Sequence, residues 1–108
     1  MSDHANLVSN AFYTFLTEAP KQAEAWSTLV QNLGEASALD EKTASLAYLA
    51  VLAALKLESG IPFHVHVAKK AGATRDEVIS AILIGLPATG HQVTQVLPIA
   101  VSAYDADD

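Results

Sequence analysis

Apolar positions recur at helical spacing along almost the whole chain, while the strict alternation of a half-buried strand is nearly absent. The first periodic segment is NLVSNAFYTFLTEA, where Leu7, Phe12, Phe15 and Leu16 share a face and Pro20 bars continuation. Pro20 suits the first turn of a second helix, PKQAEAWSTLVQNLG, with Trp26, Leu29, Val30 and Leu33 as its apolar stripe and Gly34 as its stop. Asp40 then reads as an N-cap, with Glu41 in the first turn of a third helix whose run ASLAYLAVLAALKL spans 14 residues. A segment so rich in Ala and Leu favours helix strongly and reads as a core helix buried on nearly all sides.

Ser59 and Gly60 break that helix, and Pro62 fits the first turn of a fourth that ends at Gly72. Thr74 and Glu77 have the spacing of a capping box, with Ala73 and Val78 placed for a hydrophobic staple, so a fifth helix starts at RDEVISAILIG and stops before Pro87. LPATG forms the turn into a last helix from about His91 to Tyr104, which Pro98 is expected to kink, and the terminal DADD is expected to fray. The expected architecture is one all-α domain of about six helices covering residues 1–108, with no repeat, linker or internal boundary.

Composition narrows the function classes. The chain is 51% hydrophobic and only 17% charged, which excludes a disordered protein and leaves more apolar side chains than one small core can bury. Self-association is therefore expected. Six Lys and Arg stand against twelve Asp and Glu, a net charge of −6 with scattered basic residues, which argues against nucleic-acid and anionic-membrane partners. No targeting segment is visible in MSDHANLVSN, and the 14-residue apolar run falls short of the roughly 20 residues needed to cross a bilayer, so a cytoplasmic protein is expected. The chain has no cysteine, which removes disulfides, thiolate metal sites and thiol redox chemistry.

The candidate chemistry lies in SGIPFHVHVAKKAG. On a strand, His64 and His66 would share a face and could bind one metal; on a helix they diverge by about 200° and need separate explanations. The helical setting favours the second case, and no metal or cofactor site is expected. His64 shares its face with Ile61, Val67, Ala68 and Ala71 and should look inward, whereas His66 sits with Pro62, Phe63, Lys69 and Lys70 and should lie nearer solvent. Among apolar neighbours and near a helix start, His64 should favour its neutral form, which can act as acid, base or hydrogen-bond donor. The alternative is a core histidine with both nitrogens satisfied by backbone or water. His91, beside a helix start, reads as a surface residue of a capping region.

Taken together, HVHVAKKAGATRDEVISAI resembles the signature of the carboxymuconolactone decarboxylase and alkylhydroperoxidase-D-like (AhpD-like) family, in which a histidine precedes an A-G-A-T-x-x-E-I turn. His64 stands eight residues before Gly72, at the family histidine's place. Upstream, L-D-x-K-T at the start of the third helix, and downstream, IGLPATG, extend the resemblance over nearly the whole chain. It implies an all-α fold assembling as trimers or hexamers, with a small molecule as the possible substrate.

In the peroxidase branch a glutamate and a C-x-x-C pair precede the histidine; laid on this chain those places hold Ser45, Leu57 and Gly60. Neither Leu57 nor Gly60 can attack a peroxide or resolve the product, so peroxiredoxin-type activity is rejected. The decarboxylase branch keeps the histidine without the cysteines. It implies acid–base chemistry on a small carboxylated or lactone-type substrate, with His64 as proton carrier. By position alone, Ser45 and Tyr48, i and i+3 on the third helix, and Lys56 near its end are candidate substrate-binding residues, with a subunit interface as the alternative place for Ser45 and Tyr48. Arg75, the only arginine, sits in a first helical turn where exposure is expected, leaving Lys56 to reach a site between subunits. The second reading is a member that has lost catalysis and serves as an oligomeric binding or structural module. The two differ in one observable: an enzyme should hold His64 in a solvent-open cavity with a cationic partner, and a degenerate member should bury it in packed side chains.

Overall fold

Short polar side chains start the helices, at Asp40 and Thr74 where the sequence places them and at Ser9 inside the segment expected to be helical. In the computed structural model, which describes residues 9–106, the Phe12 amide donates to Ser9 Oγ at 3.1 Å and the Thr43 amide to Asp40 Oδ1 at 2.7 Å. The Glu77 amide donates to Thr74 Oγ1 at 3.0 Å and the Thr74 amide to Glu77 Oε1 at 2.9 Å, a complete capping box. The helices are α1 (Asn10–Glu18), α2 (Pro20–Ala36), α3 (Glu41–Ala54), α4 (Ile61–Lys70), α5 (Arg75–Leu83), the short α6 (Leu86–Thr89) and α7 (Leu97–Asp105), with 3₁₀ segments at Glu58–Gly60 and Gly90–Val96. No strand occurs among the described residues, so the fold is all-α. Leu7 and the last two residues of the DADD tail fall outside the described residues.

Three expectations need correction. Gly34 does not stop α2, which continues to Ala36 before Ser37 turns extended. Pro98 does not kink a long last helix: the backbone runs as a 3₁₀ segment to Val96, and Pro98 lies in the first turn of α7, where its missing amide is not needed. Nor is α3 buried on nearly all sides. Leu49, Leu52 and Ala53 face the core, while Tyr48, Val51 and Leu55, at i, i+3 and i+7 on another face, stand exposed.

The core is built by α3, α4, α5 and α7 with the Gly90–Val96 segment. Leu49, Ile61, Val65, Ile82, Val93 and Val96 are fully buried in it. Each such side chain contributes about 1.5–3 kcal/mol by leaving water. The α1–α2 hairpin adds nothing to this cluster. It packs on itself, with Phe12 and Phe15 against Trp26 at ring-centroid distances of 5.2 and 6.3 Å, and leaves Leu29, Val30 and Leu33 open to solvent.

At its far end the chain is tied down by three contacts. Lys69 Nζ donates to the Tyr104 carbonyl at 2.7 Å and lies 4.9 Å from the Tyr104 ring centre. The Tyr104 hydroxyl donates to the Ala73 carbonyl at 2.8 Å, and Arg75 grips Asp105 through two bonds of 2.9 and 3.1 Å. That guanidinium holds the Asp105 carboxyl below the ordinary carboxylate range. Together they fix α7 across the junction of α4 and α5.

Helices α3 and α4 end in the same hydrogen-bond pattern with different residues at its left-handed position. After α4, Gly72 (φ 98°) occupies it, with Gly72 N–H to Lys69 O and Ala73 N–H to Ala68 O, both at 3.0 Å. After α3, Lys56 (φ 55°) occupies it, with Lys56 N–H to Ala53 O at 3.1 Å and Leu57 N–H to Leu52 O at 2.9 Å. A side chain in this conformation carries strain that glycine avoids. Gly72→Ala is therefore expected to lower unfolding stability by about 1 kcal/mol, and Lys56→Gly to raise it by about 0.5 kcal/mol after the unfolded-state entropy of glycine is counted. Paired urea-denaturation curves check both signs, and a destabilising Lys56→Gly would contradict the strain argument.

Candidate functional site

His64 sits in the second turn of α4, placed there by the tight link from α3. The Lys56 turn reverses the chain, the 3₁₀ segment closes with the Gly60 amide donating to Leu57 O at 3.1 Å, and Pro62 occupies the first turn of α4. A link this short lays the start of α4 beside the last turns of α3. Its register brings the His64 ring to 4.6 Å from the Tyr48 ring, centre to centre, with the planes tilted by 58°. Phe63 stands edge-on to the same imidazole at 5.2 Å. A β-carbon at position 60 would fall 3.7 Å from Leu52 Cδ1 and 3.9 Å from His64 Cδ2, so Gly60 and Leu52 underlie the ring.

The imidazole is half-buried. Among the described residues no hydrogen bond or ion pair reaches its nitrogens; it lies against aromatic and aliphatic side chains. Burial against them disfavours the charged ring and pushes the His64 pKa below that of an ordinary histidine. At neutral pH this gives a neutral imidazole with a solvent-open side, a group that can accept a proton and return it.

The two histidines diverge as a helix requires, but their environments are the reverse of the sequence expectation. His66 is 8% exposed and belongs to the buried side of α4, whereas His64 is the half-open one. The reason is α7, which packs along α4 and accepts the Lys69 ammonium on its last carbonyls. Lys69 lies one turn beyond His66, so the face marked as solvent by its lysine is covered. Among the described residues no three His, Asp or Glu side chains gather as a metal site.

Of the other candidates, Tyr48 alone is brought against His64. Ser45 is half-buried one turn earlier on α3 and makes no hydrogen bond with it. Lys56 is exposed past the end of α3 and forms no ion pair among the described residues. Leu57, at one redox-cysteine position, is exposed, and Gly60, at the other, abuts the imidazole. Sequence reasoning passed over Phe63 as a wall of the site and Gln92 as a brace. Gln92 Nε2 donates to the Ala54 carbonyl at 2.8 Å and satisfies an acceptor left over at the end of α3. His91, beside it, is exposed, as its place by a helix start implied.

Comparison with known proteins identifies the family and the fold. The family description that matches residues 20–102, from the start of α2 into α7, is the carboxymuconolactone decarboxylase family. The chain belongs to that family. A solved structure of similar fold is the apo form of a carboxymuconolactone decarboxylase family protein from Legionella pneumophila, with a TM-score of 0.78 and 24% identity over 94% of each chain. No curated protein matches the sequence. This member has no cysteine.

Because desolvation by ring neighbours lowers the His64 pKa, Tyr48→Ala should move it upward, toward the ordinary histidine value of about 6.5. NMR titration of the imidazole C–H signals reads this directly. An unchanged pKa in that variant would show that Tyr48 does not desolvate the ring.

Proposed function

We propose that this family member is an acid–base enzyme acting on a small lactone-type substrate, with His64 as proton carrier. The observation that carries the reading is a half-open, unpaired and uncharged imidazole between two aromatic rings. In a butenolide the saturated ring carbon at the far end of the C=C is acidified through its conjugation with the lactone carbonyl. His64 takes a proton there; the freed electron pair forms a new double bond toward the old one, giving a dienolate. The imidazolium then returns the proton at the carbon beside the carbonyl, so that one double bond has moved and no atom is gained or lost. Tyr48 and Phe63 hold the substrate ring by stacking and edge contacts.

Turnover of muconolactone-type substrates tests this reading. In His64→Gln, kcat/KM should fall by about 10²–10⁴. The wild-type rate should fall with acid only below the ordinary histidine range, since the lowered pKa keeps the base form to lower pH. Turnover that survives His64→Gln unchanged would leave the second reading, a catalytically silent binding or structural module.

The assembly is part of the same proposal: copies of the chain associate through the exposed faces of α2 and α3, shielding the site from bulk water. Leu33 is 62% exposed and Val51 50%, and each lies in a stripe of large apolar side chains. Light scattering should give a multiple of the chain mass for the wild type and a smaller one for Leu33→Glu or Val51→Glu. A wild-type monomer at micromolar concentration would reject the assembly.

A further inference from the structure

The chain has six lysines and arginines, and the fold commits most of them elsewhere. Lys42 Nζ pairs with Glu77 at 2.9 Å, tying the start of α3 to the start of α5. Lys69 is spent on the α7 carbonyls, Arg75 on Asp105, and Lys70 has an interaction of its own. Lys21 stands in the first turn of α2, on the hairpin that adds nothing to the core. Lys56 alone lies on the α3–α4 link that carries the His64 site, exposed and beyond the end of α3.

The neighbours of the imidazole are the rings of Tyr48 and Phe63 over a floor of Leu52 and Gly60. A carboxylate brought into such a setting loses water and gains no cation, a cost that buried ions meet only with a close partner. The chain as a whole carries −6, so its field repels an anion on approach. Within one chain, Lys56 at most could face a substrate carboxylate.

We propose that the His64 site takes an uncharged lactone or similar cyclic carbonyl compound, and not a carboxylated one. The inference rests on the acid–base reading given above and narrows it. With no carboxylate on the substrate, no carbon dioxide is released. The reaction is then the double-bond shift alone: one C–H bond breaks at the saturated ring carbon at the far end of the C=C, one forms at the carbon beside the carbonyl, and His64 carries the proton between them.

A matched pair of ligands separates the possibilities. β-Angelica lactone is a methyl-substituted butenolide without charge, and muconolactone is the same ring with a carboxymethyl group in place of the methyl. Each is titrated into the full-length wild-type protein while the His64 C–H signals, assigned by their loss in His64→Gln, are followed by NMR. β-Angelica lactone should shift those signals saturably. Muconolactone should bind about ten-fold more weakly or worse, and added sodium chloride should narrow the gap by screening the acidic chain. Muconolactone binding as tightly as the uncharged ring, or more tightly with loss of that advantage in Lys56→Ala, would overturn the inference and leave the acid–base reading intact. If neither ligand moves the His64 signals, the acid–base reading fails and this inference with it.

Discussion

The packing of α4 against α3 is the constraint from which the rest of the molecule follows. Leu49 and Ala53 on one helix and Ile61, Val65 and Ala68 on the other are fully buried in a shared core. Six residues, from Leu55 to Gly60, connect the two helices. A link so short leaves little choice of register, and the left-handed turn at Lys56 is one consequence. The other is that the residue four positions past Gly60 lands beside the ring four positions before Leu52, which is how His64 meets Tyr48. The candidate site is thus a by-product of the same seam that stabilises the fold.

Much of this was legible in the sequence because the signals are local. Asp40, Thr74 with Glu77, Pro62 and Gly72 mark helix ends through bonds and dihedral preferences that span three or four residues, and each serves in the structure as its pattern implies. The family resemblance selected His64 for the same reason, through its fixed interval to the Gly72 turn. What depended on distant partners was not legible. The lysines at 69 and 70 made one side of α4 read as solvent, yet α7, arriving some thirty residues later in the chain, covers that side and buries His66. Likewise the apolar run of α3 carries two stripes, and sequence alone does not reveal that only one has a partner within the chain.

That second stripe and the α2 stripe describe the same shortage from two sides. A chain of 108 residues has too little volume to enclose four long apolar faces at once. It places α4, α5 and the Gly90–Val96 segment around one face of α3, lays α7 across α4 and α5, and sends α1 and α2 outward as a hairpin held by Phe12, Phe15 and Trp26. The hairpin is stable enough to form because three aromatic rings bury one another, and its remaining leucines stay available for contacts outside the chain.

Charge is distributed by a similar economy. Leu57 and Gly60 lie on the link before the histidine, the chain has no cysteine, and Lys42, Lys69 and Arg75 hold helix ends together. The ring that remains is uncharged, open on one side and walled by aromatic carbon. An imidazole in that condition is suited to moving a proton between two carbons of a molecule that itself has no charge to neutralise. The dienolate on that path carries a developing negative charge, and a hydrogen-bond donor or cation from the proposed second copy would meet it, which links the open apolar faces to the site.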